Sequence, residues 1–324
     1  MSLLIDVPVK YNAYKKIGAI SAANAFAFVI NKFGKTFGSG NNSSTQLGDN
    51  TNTTRYSPVI IALYGLNKTF CKISADGQHS LAIDKNGRAW AWGSGANGRL
   101  GDNSTAQKCY PVLVAGSIKT FCQIDAGNNH SVAIDKNGRA WSWGFNGAAQ
   151  LGDNSLTSKL TPVSVLGAVK TFCRISVGSG HSLAIDKNGR VWGWGNNNSG
   201  QIGNNGTATG STPVSILGTV KTFCQIMAGN GTSLAIDKNG RIWGWGFIGG
   251  GIIGRNINKL FDTTPLSIYG NKTFCKVSLF PVGGTGAGID HQGKVWSWGV
   301  NTINQLGTNN FFSYYITPVR ICAI

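Results

Sequence analysis

Apolar and polar residues alternate along this chain in short runs with a period of two, never with the period of a helix. Ser80-Leu-Ala-Ile-Asp84 reads as a short strand, Lys85-Asn86-Gly87 as a hairpin turn, and Arg88-Ala-Trp-Ala-Trp-Gly93 as the returning strand. Asn-Gly between two apolar runs is a strong hairpin signal, because both residues tolerate positive φ. Phe70-Cys-Lys-Ile-Ser74 supplies a strand before this hairpin. A Gly/Asn/Ser/Thr-rich loop after it leads to a fourth strand, Tyr110-Pro-Val-Leu-Val114. Trp90 and Trp92 point one way and Ala89 and Ala91 the other, as expected of a sheet buried on both faces against tapered neighbours.

The unit repeats. Cys71, Cys122, Cys173, Cys224 and Cys275 stand 51 residues apart, each in nearly the same stretch of sequence. Four short strands per repeat predict an all-β chain, a β-propeller of four-stranded blades. The hairpin glycine recurs six times, at Gly34, Gly87, Gly138, Gly189, Gly240 and Gly293, so six blades are expected. They fall at about residues 11–65, 66–116, 117–167, 168–218, 219–269 and 270–324 of a single domain over 1–324, with 1–10 an extra N-terminal strand. The proline-bearing strand occurs seven times, at Pro8, Pro58, Pro111, Pro162, Pro213, Pro265 and Pro318. One terminus is therefore spare. The expectation is that strands from both ends share one blade, with the segment around Pro8 or Pro318 closing the propeller, since an open edge invites aggregation.

Gly178-Ser-Gly-His-Ser-Leu-Ala184, Trp192-Gly-Trp-Gly-Asn196 and Gly200-Gln-Ile-Gly203 together resemble the regulator-of-chromosome-condensation repeat. The resemblance recurs in phase over about residues 15–320. WD-type repeats have a shorter period and a Trp-Asp end absent here, and kelch repeats order their glycines and aromatics differently. Members of the family are usually seven-bladed, so six copies are a departure. The resemblance implies a rigid propeller presenting loops. Relatives include a nucleotide-exchange factor for a small GTPase, a secreted β-lactamase inhibitor and modules of larger scaffolds.

Candidate chemistry is sparse. The twelve acidic residues are all aspartates. Asp84, Asp135, Asp186, Asp237 and Asp290 precede the hairpin turns, while Asp49, Asp102 and Asp153 sit in Leu-Gly-Asp-Asn loops, both places where a short carboxylate bonds turn backbone. No paired carboxylates, phosphate-binding glycine loop or nucleophile with a base partner is evident, so no enzyme and no cofactor are expected. One cysteine per blade cannot converge on a metal. Alternating with Ile73, Ile124, Ile175 and Ile226, these cysteines read as buried structural thiols. With Cys109 and Cys322 the total is seven, an odd number against a full disulfide framework and consistent with a reducing cytoplasm. His79, His130 and His181 share one repeat position, taken by Phe26, Thr232 and Gly283 elsewhere, and are expected to tie neighbouring strands or loops together.

The formal net charge is +17. Lys85, Arg88, Lys136, Arg139, Lys187, Arg190, Lys238 and Arg241 flank the hairpin turns, and with their equivalents in other repeats they would multiply into a positive surface. The bland reading is solvated turn residues. The sharper one is contact with an acidic partner or a polyanion. Interleaved stacking aromatics are not evident, which weakens nucleic-acid readout. Repeats 5 and 6 carry apolar loops instead of polar ones: Phe247, Ile248, Ile252, Ile253, Leu260 and Phe261, then Phe311, Phe312, Tyr314 and Tyr315. These are candidate partner contacts, or loops packing on each other. The expectation that follows is a non-enzymatic binding or structural module of a larger assembly, preferably a virion component such as a phage tail, baseplate or capsid-decorating protein. The alternative is a soluble propeller regulating a small GTPase or chromatin. An enzyme acting on polysaccharide ranks last, lacking a carboxylate pair. No run is apolar enough to span a membrane and the start lacks a signal-peptide pattern, so synthesis in the cytoplasm is expected, with a final place in a virion, the cytoplasm or the nucleus.

Overall fold

A computed structural model describes residues 17–23, 25–61, 69–116, 120–167, 171–217, 222–249, 260–268, 272–280, 284–302, 306–308 and 312–321. It contains six four-stranded antiparallel sheets, each built from consecutive strands, the blades of a six-bladed β-propeller. Blade 2 comprises Phe70–Asp76, His79–Asp84, Ala89–Gly93 and Lys108–Leu113, and blade 6 comprises Phe274–Phe280, Thr285–Asp290, Val295–Val300 and Tyr314–Arg320. The chain divides into two compact units. Leu3–Gly147 with Ser155–Val165 holds blades 1 to 3; Ala148–Asn154 with Leu166–Ile324 holds blades 4 to 6 and one loop of blade 3.

The second strand of blades 2 to 5 is buried at all six positions, as the apolar residues on both faces predicted. Within each unit the cores lie between blades. Ile185 and Val191 of blade 4 pack with Phe223, Ile226 and Trp245 of blade 5, and Ile236 and Ile242 of blade 5 pack with Phe274, Val277 and Trp298 of blade 6. Each repeat thus completes its neighbour's core, the physical basis of stability in a stacked array.

The hairpin carboxylate does more than brace a turn. Asp186 Oδ1 accepts the N–H groups of Asn188 and Arg190 at 2.8 and 3.0 Å, while Oδ2 accepts the indole Nε1–H of Trp192 at 3.0 Å. Asp84, Asp135, Asp237 and Asp290 do the same with Trp90, Trp141, Trp243 and Trp296. Blade 1 has Asn31 in this place, its Oδ1 accepting the N–H groups of Phe33 and Lys35. Phe37 stands where the other blades have the tryptophan, so no indole demands a second acceptor there.

Among the described residues blade 1 runs from Ile17–Ala22 to Arg55–Ile60, and the segment bearing Pro318 is the fourth strand of blade 6. Pro8 lies outside the described residues. One expectation is corrected: the cysteines are not buried. Cys71, Cys122 and Cys173 are exposed, and Cys224 and Cys275 half-buried. Each is the extra residue of a β-bulge: Phe70 and Lys72 pair with successive residues of the next strand while Cys71 is skipped, and the register shifts identically around Cys122, Cys173, Cys224 and Cys275. Gly18 occupies the bulge of blade 1. A bulge breaks the period-two alternation and rotates the residue out of the core. The thiol bonds the carbonyls at the end of the second strand instead, as Cys71 Sγ does to Ile83 and Asp84 at 3.4 and 3.5 Å.

Two measurements test these assignments. Asp186→Asn and Trp192→Phe should each lower stability in urea by about 1–2 kcal/mol, and the double variant by about 1 kcal/mol less than their sum, because each partner's loss already forfeits the bond. A strictly additive cycle would contradict the contact. Ellman's reagent at mildly alkaline pH should modify Cys71, Cys122 and Cys173 in the folded protein, as located by peptide mapping. Labelling only after unfolding would place these thiols back in the core.

Candidate functional site

The histidine position is a structural joint. His79 Nε2 lies 2.9 Å from Ser131 Oγ of the following blade, and His181 Nε2 lies 2.9 Å from Ser233 Oγ. Ser131 Oγ donates to the Arg99 carbonyl at 2.8 Å and Ser233 Oγ to the Gln201 carbonyl at 2.7 Å. A serine that donates its only proton accepts from imidazole, so Nε2 carries the hydrogen. Burial keeps the ring neutral: it depresses the pKa of His79 well below the ordinary 6.5, with the Arg99 charge and His130 adding to the effect, and brings that of His181 down to about 4. In blade 5 Thr232 takes the place and donates to the Phe247 carbonyl at 2.8 Å. In blade 6 the register assigns the place to Thr285, opposite Gly299, and not to Gly283, which lies outside the described residues. The two extra residues near Phe280 displaced the alignment.

A further joint was not legible in advance. The carbonyl of Gln46, Arg99, Gln150 or Gln201, in the loop after a third strand, accepts both a serine hydroxyl and a tryptophan indole. Trp194 Nε1 and Ser182 Oγ reach Gln150 at 2.9 and 3.1 Å, and Trp92 Nε1 and Ser80 Oγ reach Gln46 at 2.8 and 2.7 Å. The glycine two residues later permits this approach. A Cβ on Gly152, at φ 66°, would stand 2.7 Å from Trp194 Cδ1. The polar loops are likewise ordered from within. Buried Asn197 accepts the Ile202 N–H and donates to the Gly206 and Ala208 carbonyls.

Burial pushes the Asp76 carboxyl up to about 6, against the opposing bond from the Gly77 N–H. Among the described residues no group of three or more His, Cys, Asp or Glu side chains is placed to hold a metal.

The residues singled out from sequence divide in two. Lys85, Arg88, Lys136, Arg139, Lys187, Arg190, Lys238 and Arg241 are all exposed at the turns between second and third strands. The turn aspartate beside each pair is buried and occupied by the turn, so it does not cover the cations. In blades 5 and 6, Phe247, Leu260, Phe261, Phe312 and Tyr314 are exposed, Phe247 facing Phe261 across the strands and Phe312 meeting Tyr315 edge to face at 5.9 Å. Ile248 is buried in the blade 5–6 core, an apolar stand-in for the loop asparagine of blade 4, so it is packing and not surface. Ile252, Ile253 and Phe311 fall outside the described residues. Exposed aromatics are not confined to the irregular blades: Tyr56 and Tyr110 occupy outer strands of blades 1 and 2. Neither departs from the repeat in a loop, so the irregular loops of blades 5 and 6 give no signal for them.

Against known proteins, a family model described as RCC1-like domain matches residues 5–323. The chain belongs to the RCC1-like domain family. Human E3 ubiquitin-protein ligase HERC2 is 32% identical over 196 residues, 56% of this chain and 4% of HERC2. The mitochondrial RCC1 domain-containing protein RUG3 of Arabidopsis thaliana is 27% identical over 295 residues, 87% of this chain and 65% of RUG3. The chain thus spans less than two thirds of these relatives. Among solved structures, human WBSCR16 superposes with a TM-score of 0.82 at 20% identity, covering 95% of this chain and 82% of that one. Yeast RCC1 (Prp20) bound to Kap60 gives 0.83 at 20% identity, covering 95% and 75%. At such identities the likeness shows the fold.

The histidine joint sets a pH response for this RCC1-like chain. Below 6.5 the unfolded chain binds a proton that folded His181 refuses until about pH 4. Stability present above pH 6.5 is therefore lost as pH falls through that window, by about 3 kcal/mol for this residue. His181→Thr, copying blade 5, should flatten the urea-midpoint profile between pH 6.5 and 4. An unchanged slope would show that His181 is not the titrating group.

Proposed function

We propose that this RCC1-like propeller is a protein-binding module without catalysis of its own, and that it docks an acidic surface of a partner through its hairpin cations. The observation that carries this is the repeated pair of exposed cations at each turn, Lys187 and Arg190 for example, above an aspartate already held by backbone and indole. Like-signed charge at equivalent positions steers an acidic partner into encounter. The exposed aromatics Phe247, Phe261, Phe312 and Tyr314 would supply the apolar part of such an interface.

The version of this reading best supported is a regulatory propeller. Saccharomyces cerevisiae Prp20p, a structural neighbour, is described with binding properties to Gsp1p and histones. Attachment within a virion, the version first expected, has no observation of this kind in its favour. Histones are basic, so a chain of net charge +17 suits an acidic protein better than a histone tail.

Reversing four cations, Lys187→Glu, Arg190→Glu, Lys238→Glu and Arg241→Glu, should lower the salt needed to elute the protein from an anionic column to roughly half, and weaken capture of its native partner. Equal elution of variant and wild type would remove the electrostatic reading. Acceleration of nucleotide release from a small GTPase by the isolated chain would establish the regulatory version.

A further inference from the structure

Asn-Gly occurs eight times in this chain, and glycine puts no side chain between an asparagine amide and the backbone nitrogen that follows it. That nitrogen can attack the amide carbon unless its N–H is bonded elsewhere. The fold sorts the eight pairs. At the hairpins Gly87, Gly138, Gly189 and Gly240 donate their N–H groups to the Asp84, Asp135, Asp186 and Asp237 carbonyls at 2.9–3.0 Å. Gly98 donates to the Gly95 carbonyl at 2.9 Å. Asn146 is fully buried, its amide nitrogen bonded to the Ser155 and Thr157 carbonyls. Two pairs remain, Asn205-Gly206 in a loop of blade 4 and Asn230-Gly231 in the first turn of blade 5. Both asparagines are exposed, and among the described residues neither glycine N–H has an acceptor.

Blade 4 reaches this state by departing from the repeat twice. Blades 1 to 3 read Asp49-Asn-Thr51, Asp102-Asn-Ser104 and Asp153-Asn-Ser155 at this place, and blade 4 reads Asn204-Asn205-Gly206. In blade 1 the Asp49 carboxylate accepts the Thr51 N–H at 3.1 Å. In blade 4 Asn204 Oδ1 accepts Asn197 Nδ2 at 3.1 Å and not the Gly206 N–H. The Asn205 amide is held from the neighbouring strand, within the same compact unit. Thr263 Oγ1 of blade 5 donates to Asn205 Oδ1 at 3.3 Å, while the Asn205 N–H bonds the Thr263 carbonyl at 2.9 Å. A donor on that oxygen stabilises the negative charge that builds there when the carbon is attacked, and it leaves the amide nitrogen free to depart. Asn230 has no such donor among the described residues. Nor does the fold require glycine at 206, where a Cβ would meet only Asn204 Oδ1 at 3.6 Å.

We infer that Asn205 is a deamidation site of the folded protein. The Gly206 nitrogen bonds to Asn205 Cγ, its proton leaves with the side-chain nitrogen as ammonia, and a succinimide ring closes. Water then adds to one of the two ring carbonyls, breaking its bond to the Gly206 nitrogen and returning a proton there. The product is aspartate or isoaspartate, and nothing is oxidised or reduced. Each event turns a neutral amide into a carboxylate and lowers the formal net charge from +17 by one unit. Isoaspartate also lengthens the backbone of the loop beside Thr263. The inference does not depend on the protein-binding reading above.

The full chain is incubated in mildly alkaline buffer and digested at intervals. Each Asn-Gly peptide is followed by mass spectrometry for the gain of about 1 Da that replacement of the amide NH2 by OH brings. Asn205 should convert roughly tenfold faster than Asn86, Asn137, Asn188 or Asn239, whose turns must open first, with Asn230 in between. Gly206→Ser, which copies blades 2 and 3, should abolish conversion at Asn205, and Thr263→Val should slow it about threefold. Circular dichroism of each variant guards against unfolding. In urea the differences among the Asn-Gly peptides should vanish. A rate at Asn205 no higher than at the hairpins, or untouched by Thr263→Val, overturns the proposal. The same ranking in urea would overturn it too, because the local sequence and not the fold would then set the order.

Discussion

One shared acceptor organises this propeller: a loop carbonyl that receives both a serine hydroxyl and a tryptophan indole from another blade. Gln46, Arg99, Gln150 and Gln201 each present it, and Trp92, Trp143, Trp194 and Trp245 each answer it. Those tryptophans are fully buried, so an unpaired indole there would cost a desolvated donor. The surrounding sequence follows from that demand. The glycine after each loop must lack a Cβ for the indole to arrive, and the histidine, kept neutral by burial, hands its Nε2–H to the serine.

The same economy spends polar side chains inside the blades. The hairpin carboxylates are occupied by backbone and indole, His79 and His181 by serines, and Asn197 by loop carbonyls. The proposed recognition draws on what is exposed, charge at the hairpins and aromatic surface in blades 5 and 6. Identical repeats cannot create specificity by themselves, so a partner can be told from others only where the repeat departs from itself.

Much of the fold was legible because a strict repeat multiplies a weak local signal. Asn-Gly turns, paired tryptophans and the count of hairpin glycines were enough for six four-stranded blades. The cysteines were misread because period-two alternation assumes an unbroken ladder, and a one-residue bulge at Cys71 and its equivalents cannot be told from a regular strand by composition. Gly18 in the bulge of blade 1 was the available hint, since glycine often marks such a site. Gly283 was paired with the histidines because two inserted residues shift the frame, and only the register to Gly299 restores Thr285 to its place. Ile248 looked like an exposed loop residue because its neighbours in other repeats are polar, yet the asparagine it replaces is itself buried.

By itself the sequence determined the architecture and the blade count, because these depend on periodicity, turn chemistry and composition, all local properties. Tertiary structure decided which polar groups are spent and which are free. Whether a histidine is neutral or an indole paired depends on the neighbouring blade, and contacts between residues some fifty positions apart leave no mark on the stretch of chain that makes them.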